Sequence, residues 1–173
     1  MLLADLRAKQ RLYSEYGPPV SLLKVIVADG TLAVALFRFM TTLSMLRLAP
    51  LALLVHVINK WLNGCVIGIG ARFGPGFILI HPVGVVINSK VRGGSNEWIE
   101  SGVVIGENRG YCPVLGNDVF IGSGAKVVGG ICIGSFTKIG ANAVVLHDVG
   151  DGEIVVGIPA RSIGSTNTNV NKM

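Results

Sequence analysis

The chain has 173 residues, a formal charge of +5 and three cysteines, Cys65, Cys112 and Cys132. That is room for one domain of ordinary size, without the cysteine density of a disulfide scaffold or the spacing of a thiolate metal site. Half the residues are hydrophobic, yet aromatics reach only 6% against 24 glycines, which implies small apolar positions and many tight turns rather than an ordinary aromatic core.

The first nineteen residues carry charge throughout and have no apolar stretch before a cleavage site, so they do not read as a secretory signal. With the unpaired cysteines this points to a reducing, cytoplasmic setting. Helices are predicted over residues 2–16, ended by Pro18 and Pro19, over residues 22–47 in one or two pieces, and over residues 50–62. Arg38 and Arg47 interrupt the apolar region, and its longest uncharged run, residues 48–59, falls far short of the ~20 residues of a spanning helix. The later helices are apolar nearly all round, which suits burial against the rest of the protein, a subunit contact, or a position on the inner face of a membrane. Residues 30–96 hold six Lys or Arg and no Asp or Glu, a field that suits an anionic cofactor or anionic lipid. Nucleic acid is not expected, since neither a recognition helix nor an aromatic stacking platform is evident.

From Cys65 onward short aliphatic stretches recur with period six. Leu115, Ile121, Val127, Ile133, Ile139 and Val145 form one run, and Ile67, Phe73, Leu79, Val85 and Val91 an earlier one. Such a period fits a triangular coil in which each hexad supplies one flat side and one turn, with glycine and asparagine at the corners. The expected fold is therefore mainly β, a left-handed parallel β-helix over residues 63–163 behind a helical region, residues 1–62. Gly93 with Gly94 and the segment from Glu107 to Tyr111 are the expected protruding loops, and residues 164–173 read as a polar, disordered tail.

Three histidines are available for proton transfer. His56 lies in the apolar helical region and reads as a packing residue, and His147 as an exposed structural one. His81, in FILIHPVGVVIN, stands at a corner of the coil. On spacing alone a histidine followed by a proline reads as a turn residue rather than as a base. Two coil histidines are too few for a three-histidine zinc site, so no metal is expected.

Segments IHPVGVVIN (residues 80–88), VVIGENRG (103–110), CPVLGNDVFIGSGAKVVGGICIG (112–134), KIGANAVVLHDV and VVGIPARSI resemble the hexapeptide-repeat acyltransferases. The resemblance is to the branch that holds the serine acetyltransferases and the colanic-acid-type exopolysaccharide acetyltransferases. It implies acetyl-CoA as co-substrate, a homotrimer, and His81 as the general base that takes the proton of an acceptor hydroxyl. Cofactor contacts would come from the backbone at Gly106, Gly124, Ala125 and Thr137, with Lys126, Lys138 and Arg161 near the nucleotide phosphates. A backbone N–H from residues 101–106 would meet the oxyanion.

The departures bear on the acceptor. Serine acetyltransferases carry acids where this chain has Val66 and Ile80, and an Arg-His pair where it has Tyr111 and Cys112; the helical region is also shorter and the chain ends in Met173 where theirs ends in a partner-docking isoleucine. The expectation is acetylation of a sugar hydroxyl in exopolysaccharide or capsule assembly, with serine O-acetylation second and a non-catalytic β-helix scaffold third. A carboxylate partner for His81 is sought at Glu97 or Glu100, or a backbone carbonyl orients the ring.

Overall fold

The computed structural model describes residues 1–166. Four helices come first: α1 (Leu2–Glu15), α2 (Leu22–Ile26), α3 (Thr31–Met45) and α4 (Ala49–Asn63). The strands that follow are β1 (Val66–Ile67), β2 (Arg72–Phe73), β3 (Ile78–Leu79), β4 (Val86–Ile87), β5 (Arg92–Gly93), β6 (Trp98–Ile99), β7 (Val104–Gly106), β8 (Val114–Leu115), β9 (Phe120–Ile121), β10 (Lys126–Val128), β11 (Cys132–Ile133), β12 (Lys138–Ile139), β13 (Val144–Val145), β14 (Glu153–Val156) and β15 (Arg161–Ser165). Successive strands go in turn to three sheets, ordered β1-β4-β7-β10-β13, β2-β5-β8-β11 and β3-β6-β9-β12-β14-β15. The chain therefore winds as a three-sided, left-handed solenoid, as its hexad period predicts.

Alternation along each short strand turns two residues per hexad inward, two positions apart. Ile121, Val127, Ile133, Ile139 and Val145 form one buried series, and Val119, Ala125, Ile131, Thr137 and Ala143 the other. This explains a slip the sequence conceals. In the first coil the series Ile67, Phe73, Leu79 continues to Ile87, while Val85 and Val91 belong to the second series. Two extra residues at the His81 corner cause the shift, so that β1 pairs Val66 with Val86, whereas higher up Lys126 pairs with Val144. Both series are apolar, and a pattern of apolar residues alone does not tell them apart.

The loop predicted at Glu107 to Tyr111 protrudes, closed by a bridge between Asn108 and Tyr111. The loop predicted at Gly93 and Gly94 does not. Gly93 ends β5 beneath the Phe73 ring, and a Cβ there would lie 2.3 Å from Phe73 Cδ1, so the glycine makes room inside the coil. β15 folds back antiparallel on β14 and takes Gly164 and Ser165 into the sheet; most of the expected tail, residues 167–173, lies outside the described residues.

α1 and α3 are fastened to the coil by a buried ion pair. Arg38 meets both carboxylate oxygens of Asp5 at 2.8 and 2.9 Å and donates to Phe73 O at 2.7 Å and Gly74 O at 2.6 Å. Asp5 Oδ1 in turn accepts from the Gly76 and Phe77 amides at 2.8 and 3.0 Å. Removing one member of such a pair typically costs about 3–5 kcal/mol, because the other charge stays buried and unpaired. The stacked rings of Phe73 and Phe77, with Phe37 set edge-on and tilted against them, fill the seam beside it. The helices are not buried all round, however. α4 hides Ala52, Val55 and Asn59 and leaves Leu51, Leu54, Trp61 and Leu62 exposed. No helix among the described residues is long and apolar enough to cross a membrane.

Glu97 occupies an inward position of the coil, fully buried, and neither carboxylate oxygen has a hydrogen-bond partner. Burial pushes its pKa from 4.5 up to about 9; the Gly94 amide favours the anion but is committed to Leu115 O and Gly116 O. Unfolded, this carboxyl ionises near pH 4.5, and folded it holds its proton to about 9, so stability is intact below 4.5 and falls as the pH rises toward 9. Glu97→Gln should therefore be more stable than the wild type at pH 8 by at least about 2 kcal/mol, a gap that closes near pH 4.5. Urea denaturation across that range reads it; a gap that does not change with pH would contradict the buried acid.

Candidate active site

His81 follows β3 at the one corner of the first coil widened by two residues, and more than half of its side chain is exposed. Its Nδ1 lies 3.2 Å from Asp29 Oδ2. Asp29 belongs to the connection between α2 and α3, immediately before Gly30, the residue that opens α3 with φ +74°. The two loops touch: a Cβ on Gly30 would lie 2.1 Å from Leu79 O, so only glycine lets the Asp29 loop approach His81 this closely. A carboxylate at Nδ1 favours the tautomer with its proton there and leaves the Nε2 lone pair free, the arrangement a general base requires.

The carboxylate partner is thus neither of those sought in the coil. Glu97 faces the coil interior, where it meets no partner. Glu100 stands half-buried at the end of β6, one coil beyond Ile80 in the register set by Leu79 and Ile99. The missed residue lies one position upstream of the acid-free stretch. An Asp-Gly pair opening an apolar helix was the available signal, but nothing in its spacing relates it to His81 fifty-two residues later.

An apolar and aromatic cluster adjoins the dyad through Ile80. Ile80, Tyr13 and Trp98 pack against the cluster of Ala8, Leu12 and Ile78. Burial, then the charges of Asp29 and Glu100, raise the Tyr13 pKa. Lys9 is buried beneath, and desolvation lowers its ammonium to about 8 against the opposing pull of Asp29.

An open groove of about 530 Å³ runs over the first sheet, lined among others by Leu53, His56, Val66, Val86, Asn88 and Gly106. His56, expected to be a packing residue, is half-buried at this groove with Nδ1 3.2 Å from Ile67 O. Of the residues proposed for the cofactor, Gly106 alone lines it. Gly124 turns a corner with φ +73°. Ala125 and Thr137 point inward; the Thr137 hydroxyl donates to Gly134 O and Gly150 O, the Ala125 amide donates to Gly122 O, and the carbonyls of both residues accept from the Val104 and Phe120 amides. Lys126 Nζ donates to Gly124 O at 2.6 Å and Gly102 O at 2.9 Å. Lys138 is exposed on the third sheet. Arg161 donates to Ala160 O and to Nε2 of His147, and so fixes His147 as the exposed structural residue expected. In the segment proposed for the oxyanion, the Gly102 and Val104 amides are spent on Val83 O and Ala125 O. Among the described residues no group of three or more His, Cys, Asp or Glu gathers to hold a metal.

These features define a hexapeptide-repeat transferase, and residues 112–147 match the family model for the bacterial transferase hexapeptide (six repeats). The serine acetyltransferase of Helicobacter pylori is 36% identical over 143 residues, 80% of this chain and 84% of that one. A solved serine acetyltransferase in complex with CoA superposes with a TM-score of 0.86 at 26% identity, over 94% of this chain and 68% of that one. The soybean serine acetyltransferase complexed with serine gives 0.84 at 34% identity, with the same 94% and 68%. The chain belongs to the serine acetyltransferase family of hexapeptide-repeat acyltransferases.

Proposed function

We propose that the protein transfers the acetyl group of acetyl-CoA to a hydroxyl, with His81 as general base and Asp29 as the carboxylate that holds its ring. The observation that carries this reading is the contact between His81 Nδ1 and Asp29 Oδ2, formed at an exposed corner by two distant segments. Nε2 takes the hydroxyl proton as the oxygen attacks the thioester carbonyl. The tetrahedral intermediate then collapses, the C–S bond breaks, and the departing thiolate recovers the proton from His81. CoA complexed with a solved relative supports the co-substrate.

For the cofactor, the reading uses the main chain of Gly106, Gly124, Ala125 and Thr137, with Lys138, Lys126 and Arg161 as the cations for its phosphates. Gly106 and Lys138 stand on different sheets, so one ligand spans them most simply in a groove between neighbouring chains, which supports a homotrimer. The exposed leucines of α4, with Arg47 and Lys60 and no acid nearby in sequence, suit the inner face of an anionic membrane in the cytoplasm. Sedimentation with anionic vesicles at low salt should pellet the protein as trimers; a monomer that stays in the supernatant would overturn both.

Serine is the acceptor that kinship favours, given the relatives named for it and the soybean complex with serine. A sugar hydroxyl, as in exopolysaccharide assembly, is a second reading carried by a specific observation. The family resemblance implies acids where this chain has Val66 and Ile80, and Tyr13 and Trp98 pack with Ile80, the neighbour of His81, on one apolar cluster. Release of free CoA from acetyl-CoA discriminates the two. Serine should trigger it, and His81→Ala should lower the rate by about 10²–10⁴-fold with the fold intact. Release with nucleotide-linked sugars but not serine makes the acceptor a sugar. No release with either, and no rise in melting temperature with acetyl-CoA, leaves a binding scaffold.

A further inference from the structure

Lys9 is not required by the chemistry just described, yet it is one of the most deeply buried charged residues of the helical region, 3% exposed on α1. A buried lysine needs a strong reason, since its ammonium must replace its hydration with fixed acceptors. Its acceptors here are two backbone carbonyls from distant parts of the chain. Nζ donates to Leu79 O at 2.9 Å and to Asp29 O. The first carbonyl lies two residues before His81, and the second belongs to the residue whose carboxylate meets the imidazole. One nitrogen thus ties together the two loops that carry the dyad. The Tyr13 ring centroid lies 5.6 Å from Nζ.

The docking of α1 and α3 brings the loops together, but few direct polar links join the loops themselves. The Asp29 carboxylate is 74% exposed, and the described structure gives it His81 as its hydrogen-bonding partner. The contact of Gly30 with Leu79 O sets how close the loops come, but a van der Waals contact does not prevent sliding. A two-pronged hydrogen bond from a buried ammonium does.

We propose that Lys9 is the positioning residue of the catalytic dyad, holding Asp29 to the His81 corner through the carbonyls of Asp29 and Leu79. This rests on the reading of His81 as base and Asp29 as its orienting carboxylate. Lys9 touches neither substrate nor reacting atoms, so it acts on turnover by setting where the imidazole points. Misplacement of a catalytic group by about 1 Å can cost as much as 10²-fold in rate.

The test is a double-mutant cycle in acetyl transfer. Lys9→Met, which keeps the buried stem and removes the donors, should lower kcat by about 10–100-fold while KM for acetyl-CoA stays within about twofold. In an Asp29→Asn background the same substitution should change kcat by less than about threefold, because the geometry it protects is already lost. Equal losses in both backgrounds, or an unchanged kcat in a folded Lys9→Met protein, would overturn the proposal. If Lys9→Met does not fold, Lys9→Gln, with a neutral amide on a shorter stem in place of the ammonium, takes its place in the cycle under the same criteria. Failure of the underlying reading looks different: Asp29→Asn alone would then leave kcat unchanged, whatever Lys9 does.

Discussion

The site depends on the docking of a helical segment against the side of a solenoid, and the interaction that secures the docking is the buried pair of Asp5 and Arg38. The coil closes its own backbone hydrogen bonds from turn to turn, so its flanks offer few polar handles. The first coil is an exception. At the β2–β3 corner it exposes the carbonyls of Phe73 and Gly74 and the amides of Gly76 and Phe77, and Arg38 and Asp5 satisfy them together. Each charge is therefore compensated twice, by its partner and by the coil. Only with α1 and α3 held there does the α2–α3 connection reach the next corner, where His81 stands.

That dependence joins fold to function. The coil alone would present His81 as an exposed turn residue with no partner. The helices supply Asp29, and through Lys9 and Gly30 they fit it to the two-residue expansion of the corner. Glu97 shows a different economy. An acid inside the apolar coil lowers stability as pH rises and holds its proton at neutral pH, so it is unavailable as the base's partner despite its nearness in sequence to the irregular segment.

How much of this was legible in the sequence follows the range of the interactions involved. The hexad period is local and repeated, so the solenoid, its inward residues from Leu115 to Val145 and the loop at Glu107 to Tyr111 could all be read directly. The slip at His81 could not, because Val85 and Val91 are as apolar as the residues they replaced in the expected series. Gly93 and Gly94 were misread as a loop, since a glycine that yields to a neighbour's ring looks the same in sequence as one that turns the chain. His81 itself was found through resemblance rather than spacing. Asp29 and Lys9 were missed because their roles arise from long-range contacts, with no period to announce them. The acceptor is a similar case: family kinship favours serine, while Val66 and Ile80, read one by one, favour a sugar.

The central claim is that His81 and Asp29 act as one catalytic unit assembled by the docked helices. Measuring kcat/KM for His81→Ala, Asp29→Asn and the double variant tests it most directly. The account predicts a loss of about 10-fold or more for Asp29→Asn alone and almost no further loss when it is added to His81→Ala, since groups that work as a unit are strongly non-additive. Losses that multiply in the double variant, or an Asp29→Asn protein as active as the wild type, would contradict it.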